Sequence, residues 1–551
     1  MDFCRELESR LRKNREEHIF VRERGLMKCF LPFGSFAFCF LFVISGFGQQ
    51  SDSGQSLGDV ARKLRKDTTN EVKMTDADAK KLFETVDRVF AFAAEDTGMP
   101  KHAAVKRRLV SKGDVENDAT RQLAKQEFAQ SFAQEELSMK KLGFLPRDFN
   151  LKEFLVRSTG QEIAAYYDPE TKVISMLNWV PPEQQEPILA HELTHALQDQ
   201  NYNLAKWMKA ARKPEENHPS STSTIDGDSQ IARKAVVEGQ AMVVYLDYIL
   251  KPAGRSLEDT PGLIYQMEDP AVKAVTDSQL MHDAPMILRE MGTFAYQGGL
   301  IFEGELLHKG GKKMAFAGAF ARPPRNSHEV LQPEAYMRGE NLPSVNIPDM
   351  REVLNNEYDV YDSGGIGELD VRALLKQYGE RKIANEVSSE WNGGAYTTFH
   401  RKDKAVGEVA TGTGDLALLY VSRWKTPQVA EWFAGFYARA VSQRYHSATV
   451  QAVPACSGTN CAVSIVQIAT EEGLVIVEHR KDNSVVVSES FDAATAAKLR
   501  AALQNATTAV QAESLPQEEL GSRLLELPAF QIFAQQIGER IAESMSREPA
   551  R

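Results

Sequence analysis

The sequence predicts an α+β protein, and three observations carry that expectation. Residues 76–145 place apolar side chains at helical intervals, with Phe83, Val86 and Phe90 among them. Residues 163–177 contain two short β-like runs separated by a turn signal. Residues 405–505 read as a strand, a helix, three strands and a helix. The chain has 551 residues, a formal net charge of −11 and 42% hydrophobic residues. That apolar content excludes a disordered chain, and the length calls for two or three domains. Only one segment is long and apolar enough to span a bilayer, which excludes a polytopic membrane protein. The acidic balance argues against nucleic acid as a partner, because phosphate binding needs a basic face.

The first element reads as an export signal. Residues 29–47 form an uncharged, mostly apolar run that follows Arg22, Arg24 and Lys28 and closes on Gly46-Phe47-Gly48. This is the positive, apolar, small-residue order of a signal peptide over residues 1–48, with Met27 as an alternative start. An uncleaved membrane anchor over residues 29–47 is the competing reading. Either way the body is expected outside the cytoplasm, periplasmic or secreted, and touches membrane only if this segment is retained. Without residues 1–48 the chain carries 57 basic and 70 acidic residues, a formal charge of −13, and two cysteines. In an oxidising compartment Cys456 and Cys461 can close the loop CSGTNC as a disulfide.

The remaining elements follow in order. Residues 49–145 are a polar linker, to about residue 75, and then a helical region. Residues 146–404 form the expected central domain, 405–505 a small α+β domain and 506–551 a C-terminal helical tail. In the central domain, Ile163 to Tyr167 and Lys172 to Leu177 flank Asp168-Pro169-Glu170-Thr171, which reads as a hairpin. A helix follows Pro181-Pro182, with Pro187 suited to a helix start. Residues 212–229 are a polar loop, and 230–250 a strong helix. The acids Asp359, Asp362 and Asp370 around Gly364-Gly365 lack calcium-loop spacing and read as a loop. In the last part, strands are expected at 416–424, 463–469, 473–479 and 484–488, with helices at 426–444 and 491–504.

The chemistry concentrates at His191-Glu192-Leu193-Thr194-His195. Residues four apart share a helix face, so both imidazoles can hold one metal ion, with Glu192 beside it as general base. Leu189, Leu193 and Ala196 fall on the opposite face and can bury. Three protein ligands and an open position would make a catalytic zinc site. The third ligand must come from elsewhere. Glu238 shares an apolar stripe with Ile231, Ala235, Ala241, Met242 and Tyr245. A carboxylate there is costly unless it is paired or binds metal. Gly239 and Ala241 are small enough to admit the histidine helix, while His218 and Asp228 are rival ligands. Asp199, four residues after His195, can orient that histidine or be an ordinary surface acid. His328, Tyr336, Tyr296 and Tyr245 are the candidate oxyanion donors.

HELTHALQD with a downstream VEGQA resembles the gluzincin branch of zinc metallopeptidases, of which thermolysin is the familiar member. The resemblance implies a zincin-like metallopeptidase domain, with His191, His195 and Glu238 as zinc ligands and Glu192 as base. It also implies an edge strand lining the substrate groove, which maps to Lys172–Leu177. Two departures stand out: the gap of 42 residues between His195 and Glu238 is longer than in thermolysin, and Met242 stands where thermolysin-like enzymes carry Asp. A closer resemblance is to a group of poorly characterised secreted bacterial HExxH proteins. It extends over roughly residues 130–505 and includes AAYYDPETKVISM, HALQDQ, EGQA and YQGGLIFEGELLHKGG…RPPRNSHEVLQPEAY. Members of that group carry Thr in place of His328 and His in place of Gln332.

The expected function is zinc-dependent hydrolysis of peptide bonds outside the cytoplasm, on a peptide or protein substrate bound along the hairpin edge. The alternatives are a non-catalytic envelope or binding protein that keeps the scaffold, and a zinc amidase acting on cell-wall peptide.

Overall fold

The computed structural model describes residues 74–111, 113–114, 126–158, 165–209, 226–266, 282–343, 345, 347–354, 357–402, 410–451 and 462–506. The expected export segment, most of the linker, His218, Cys456, Cys461 and the C-terminal tail lie outside the described residues. Among the described residues no helix is long and apolar enough to cross a membrane.

The chain opens on helix α1, Asp76–Thr97. The Thr75 side chain caps it by accepting from the Asp78 N–H at 3.2 Å, and Gly98, at φ 71°, ends it. Leu82, Val86, Val89, Phe90 and Ala93 recur every three or four residues and are all buried. They pack against the helix that carries the two histidines. Strand β1, Lys106–Val110, and helix α2, Gln126–Leu142, complete the N-terminal region.

The expected hairpin is present as β2, Ala165–Asp168, and β3, Val173–Leu177, paired antiparallel. Asp168 closes its turn by accepting from the Glu170 N–H at 2.8 Å and from the Thr171 hydroxyl at 2.7 Å. β1 pairs with β3 in parallel, so the sheet order is β1-β3-β2. That pairing corrects the mapping of the groove strand onto Lys172–Leu177: β3 is the central strand, bonded on both sides, and the edges are β1 and β2.

Helix α3, Pro182–Tyr202, carries the histidine motif. Its first residue is Pro182, so Pro187 lies inside the helix rather than at its start. An early interior proline is tolerated because the bond it deletes is among the first of the helix. Helix α4, Asp226–Leu250, carries Glu238 and lies against α3. Beyond it, a π-helical stretch, Phe294–Gly298, leads directly into helix α5, Gly299–Lys312. Helix α6, Ser327–Leu331, follows.

Residues around Gly364-Gly365, read from sequence as a loop, are strand β4, Tyr358–Gly365, and the start of helix α7, Glu368–Gln377. The acids there are scattered along two regular elements. β4 begins a seven-stranded antiparallel sheet ordered β4-β5-β6-β10-β9-β8-β7. Its other members are β5, Trp391–Arg401; β6, Leu416–Trp424; β7, Ala448–Gln451; β8, Ser464–Thr470; β9, Gly473–His479; and β10, Ser484–Glu489. Helix α8, Pro427–Arg444, joins β6 to β7, and α9, Ala493–Ala506, follows β10.

β6 alternates cleanly across its two faces. Leu418 and Tyr420 share the main core with α8, whereas Ala417, Leu419 and Val421 pack with Leu499 and Leu503 of α9. The main core runs without a break from Leu82 through α3 and α4 to Val487. The expected boundary at residues 404–405 therefore falls between two hydrogen-bonded neighbours, β5 and β6. The strands foreseen at 416–424 and beyond are there, but their sheet begins near residue 358.

Candidate metal centre

Helical spacing puts His191 and His195 on one face of α3, and α4 brings Glu238 to the same point. His191 Nε2 lies 3.1 Å from His195 Nε2 and 3.1 Å from Glu238 Oε2, and His195 Nε2 lies 3.4 Å from Glu238 Oε2. These side chains are 4–11% exposed. Four tetrahedral donors bound at zinc distances stand about 3.3 Å apart, so the three atoms fit a single zinc-sized cation. Among the described residues this is the one His, Cys, Asp and Glu cluster so arranged.

Hydrogen bonding fixes which atoms face the centre. Gln240 Nε2 donates to the carbonyls of Ala315 and Phe316 at 2.8 and 3.1 Å, which turns Gln240 Oε1 towards Gln198. Gln198 Nε2 then donates to Gln240 Oε1 at 3.1 Å and to Val237 O at 3.0 Å. That leaves Gln198 Oε1 as the acceptor facing His195 Nδ1 at 2.9 Å. Oε1 can only accept, so Nδ1 carries a proton, and in the neutral imidazole His195 Nε2 presents a bare lone pair. In that neutral form at most one proton, on His191 Nε2, lies among the three converging atoms. One proton serves one neighbour; a dication satisfies all three. The neighbouring carboxylates draw positive charge to the same point. Burial opposes a charged His195, yet Glu238 and Glu192 outweigh it and raise its pKa above the ordinary value.

Glu192 points to the edge strand. Its Oε2 accepts from the Tyr167 N–H of β2 at 2.8 Å. Burial raises its pKa against the pull of the two histidines and of that N–H. A raised carboxylate pKa suits a base that must take and return a proton near neutral pH. Asp199 does not reach His195. It accepts from the Tyr167 hydroxyl at 2.8 Å, from Lys172 Nζ at 2.5 Å and from the Leu204 N–H at 3.1 Å, and so ties the hairpin to α3. The orienting role expected of Asp199 falls to Gln198, because residue 198 is the one that α4 meets with a partner.

Glu238 is charged despite its burial. The Lys234 ammonium, 2.6 Å from Oε1, and the two histidines hold its carboxyl well below the usual range. The small Gly239 does not admit α3, as its size had suggested. It admits α5: a Cβ on Gly239 would run into the Gly299 carbonyl, and one on Gly299 into Ala235 O. This contact seats the preceding π-helical stretch over the site, where the Tyr296 ring lies nearly parallel to that of His191, 6.1 Å between centroids. π-Helical insertions often accompany functional sites.

The rival ligand Asp228 sits elsewhere, buried against Ser327 of α6 and Gly367. Of the other oxyanion candidates, Tyr336 donates its hydroxyl to Arg322 O at 2.6 Å, and His328 pairs through Nδ1 with Glu368 at 2.5 Å. Tyr245 is buried two turns beyond Glu238 on α4. Sequence reasoning passed over Gln198, Lys234 and the Tyr167 main chain. The first two had a signal, since they stand three residues after His195 and four before Glu238, on the ligand faces. A main-chain donor from β2 leaves none. No family model, curated protein or solved structure matches the chain.

Proposed function

We propose that the chain is a zinc-dependent metallopeptidase that hydrolyses peptide bonds outside the cytoplasm. The observation that carries this reading is the convergence of His191 Nε2, His195 Nε2 and Glu238 Oε2, with the Glu192 carboxylate adjacent and held by a main-chain N–H. Zinc held by those three atoms would polarise a scissile carbonyl and acidify the attacking water. Glu192 takes a proton from that water as its oxygen bonds to the carbonyl carbon and the π pair moves onto the carbonyl oxygen. Collapse returns the pair and breaks the C–N bond, while Glu192 delivers the proton to the departing nitrogen. The Tyr167 N–H keeps the carboxylate aimed throughout, and Gln198 keeps His195 in the tautomer that can ligate. β2, the edge strand whose Tyr167 N–H bonds Glu192, is the strand along which an extended peptide would add. The extracytoplasmic setting rests on the signal-like order of residues 1–48.

The near-closure of the site favours a second reading, a scaffold that keeps the metal without hydrolysis. One experiment separates them. The parent protein and Glu192→Gln are purified, their zinc content is measured, and both are assayed on unfolded protein and on a cell-wall digest. Zinc in both, with protein cleavage in the parent alone and lost to chelator, is the expected result. Zinc with no hydrolysis of either substrate identifies a scaffold, cleavage of the wall digest alone an amidase, and absence of zinc removes every metal reading.

A further inference from the structure

We propose that Lys234 is a catalytic residue of this site, its ammonium donating to the oxygen that becomes anionic when the scissile carbonyl is attacked. The proposal rests on the metallopeptidase reading and names the donor that zinc alone does not supply.

The placement follows from α4. Lys234 stands one turn before Glu238, so the two side chains share a face. Its Nζ lies 2.6 Å from Glu238 Oε1, while the other oxygen, Oε2, turns towards the histidines. The ion pair thus divides the carboxylate, with one oxygen on the lysine and one at the metal position. An ammonium has three N–H groups, and this bond uses one. The other two are carried on a head group anchored beside the centre, so little reorganisation is needed when charge develops. Lys234 is also the part of the site that solvent reaches: its side chain is 31% exposed, against 4% for Glu238. Among the described residues it is the one lysine or arginine ion-paired with the ligand set. The aromatic and histidine candidates are less well placed, since Tyr336 and His328 are bonded away from the centre and Tyr245 is buried along α4. Tyr296, stacked on His191, is the remaining competitor.

In the step itself the π pair of the carbonyl moves onto its oxygen, and Lys234 donates a hydrogen bond to it without transferring its proton. The proton lost by the water goes to Glu192 and from there to the amine. Lys234 therefore acts on the charged state and weighs on turnover more than on ground-state binding.

The test uses the full chain with Lys234→Met, Lys234→Arg and Tyr296→Phe. Zinc affinity is measured by chelator competition, and kcat and KM on an unfolded protein. Calorimetry with acetohydroxamate, an anionic oxygen ligand that needs no peptide recognition, is run on the zinc-loaded proteins. Lys234→Met should bind zinc within about threefold of the parent, lose about 100-fold in kcat with little change in KM, and bind acetohydroxamate about tenfold more weakly. Lys234→Arg should recover most of both losses. Loss of zinc in step with activity would make Lys234 a ligand-holding residue and overturn the assignment, as would a kcat loss in Tyr296→Phe that Lys234→Met does not share. If the parent hydrolyses nothing, the metallopeptidase reading fails by itself. In that case, acetohydroxamate binding undiminished in Lys234→Met would still overturn the placement of the lysine.

Discussion

Gly239 and Gly299 meet backbone to backbone, and that contact sets the spacing between the helix that carries Glu238 and the π-helical stretch that carries Tyr296. Neither position has room for a Cβ, because on each side the obstacle is main chain rather than a flexible side chain.

Gly299→Ala should therefore destabilise the protein by about 2–4 kcal/mol, since α4 and α5 must separate. A denaturant titration reads the loss directly. Parental stability in both Gly299→Ala and Gly239→Ala would show that the helices do not approach this closely.

Gln198→Leu removes the acceptor that keeps the proton of His195 on Nδ1. Zinc affinity should fall about 10–100-fold, the usual cost of losing a partner that orients a ligand. Asp199→Asn should leave zinc affinity unchanged and lower thermal stability instead, because Asp199 serves Tyr167, Lys172 and Leu204. Chelator competition on the two variants distinguishes the roles, and the reverse ranking would return the orienting role to Asp199.

Stability should fall as pH rises from about 4 to 8. Asp228 and Asp370 lie on either side of Gly367, where a Cβ would stand 2.7 Å from the Asp228 carboxyl carbon. Burial pushes Asp228 up to about 6, and burial together with the Asp228 charge pushes Asp370 up to about 8. The folded state thus holds protons that the unfolded chain releases near pH 4, and the stability they confer is lost as pH climbs through the folded values. Asp370→Asn keeps an acceptor for the Gly367 N–H, which now bonds the carboxylate at 2.8 Å, and removes the charge. The variant should gain about 1–3 kcal/mol relative to the parent at pH 8 and little at pH 4. Melting curves across that range check it, and parallel profiles for the two proteins would refute the assignment.

Much of the site was legible because its signals are local. The spacing of four between His191 and His195 needs only a helix, and Glu238 stood out because a carboxylate on an apolar stripe requires a partner. The hairpin turn at Asp168 and the alternation in β6 are also written within a few residues of one another. What was not legible depends on residues far apart in the chain. β1 reads KRRLV, without apolar alternation, because it is an edge strand with its first residues in solvent, and its pairing with β3 joins Lys106 to Val173. His328 read from sequence only as one of four candidate oxyanion donors, and Gln332 had no role; both side chains bond Glu368, which enters from α7.

The sequence by itself determined that His191 and His195 could share a metal ion, because ligand type and helical period are properties of a few neighbouring residues, and it left Glu238, His218 and Asp228 as rivals for the third place. Only the tertiary structure decided between Gln198 and Asp199 as the partner of His195, since both lie near it on α3 and the choice belongs to Gln240 on α4. It likewise decided that β3 is central and not an edge, that Gly239 admits α5 and not α3, and that the C-terminal sheet starts before residue 404. Each of these depends on which surfaces meet, and contacts between distant segments are chosen by packing and hydrogen-bond satisfaction over the whole core.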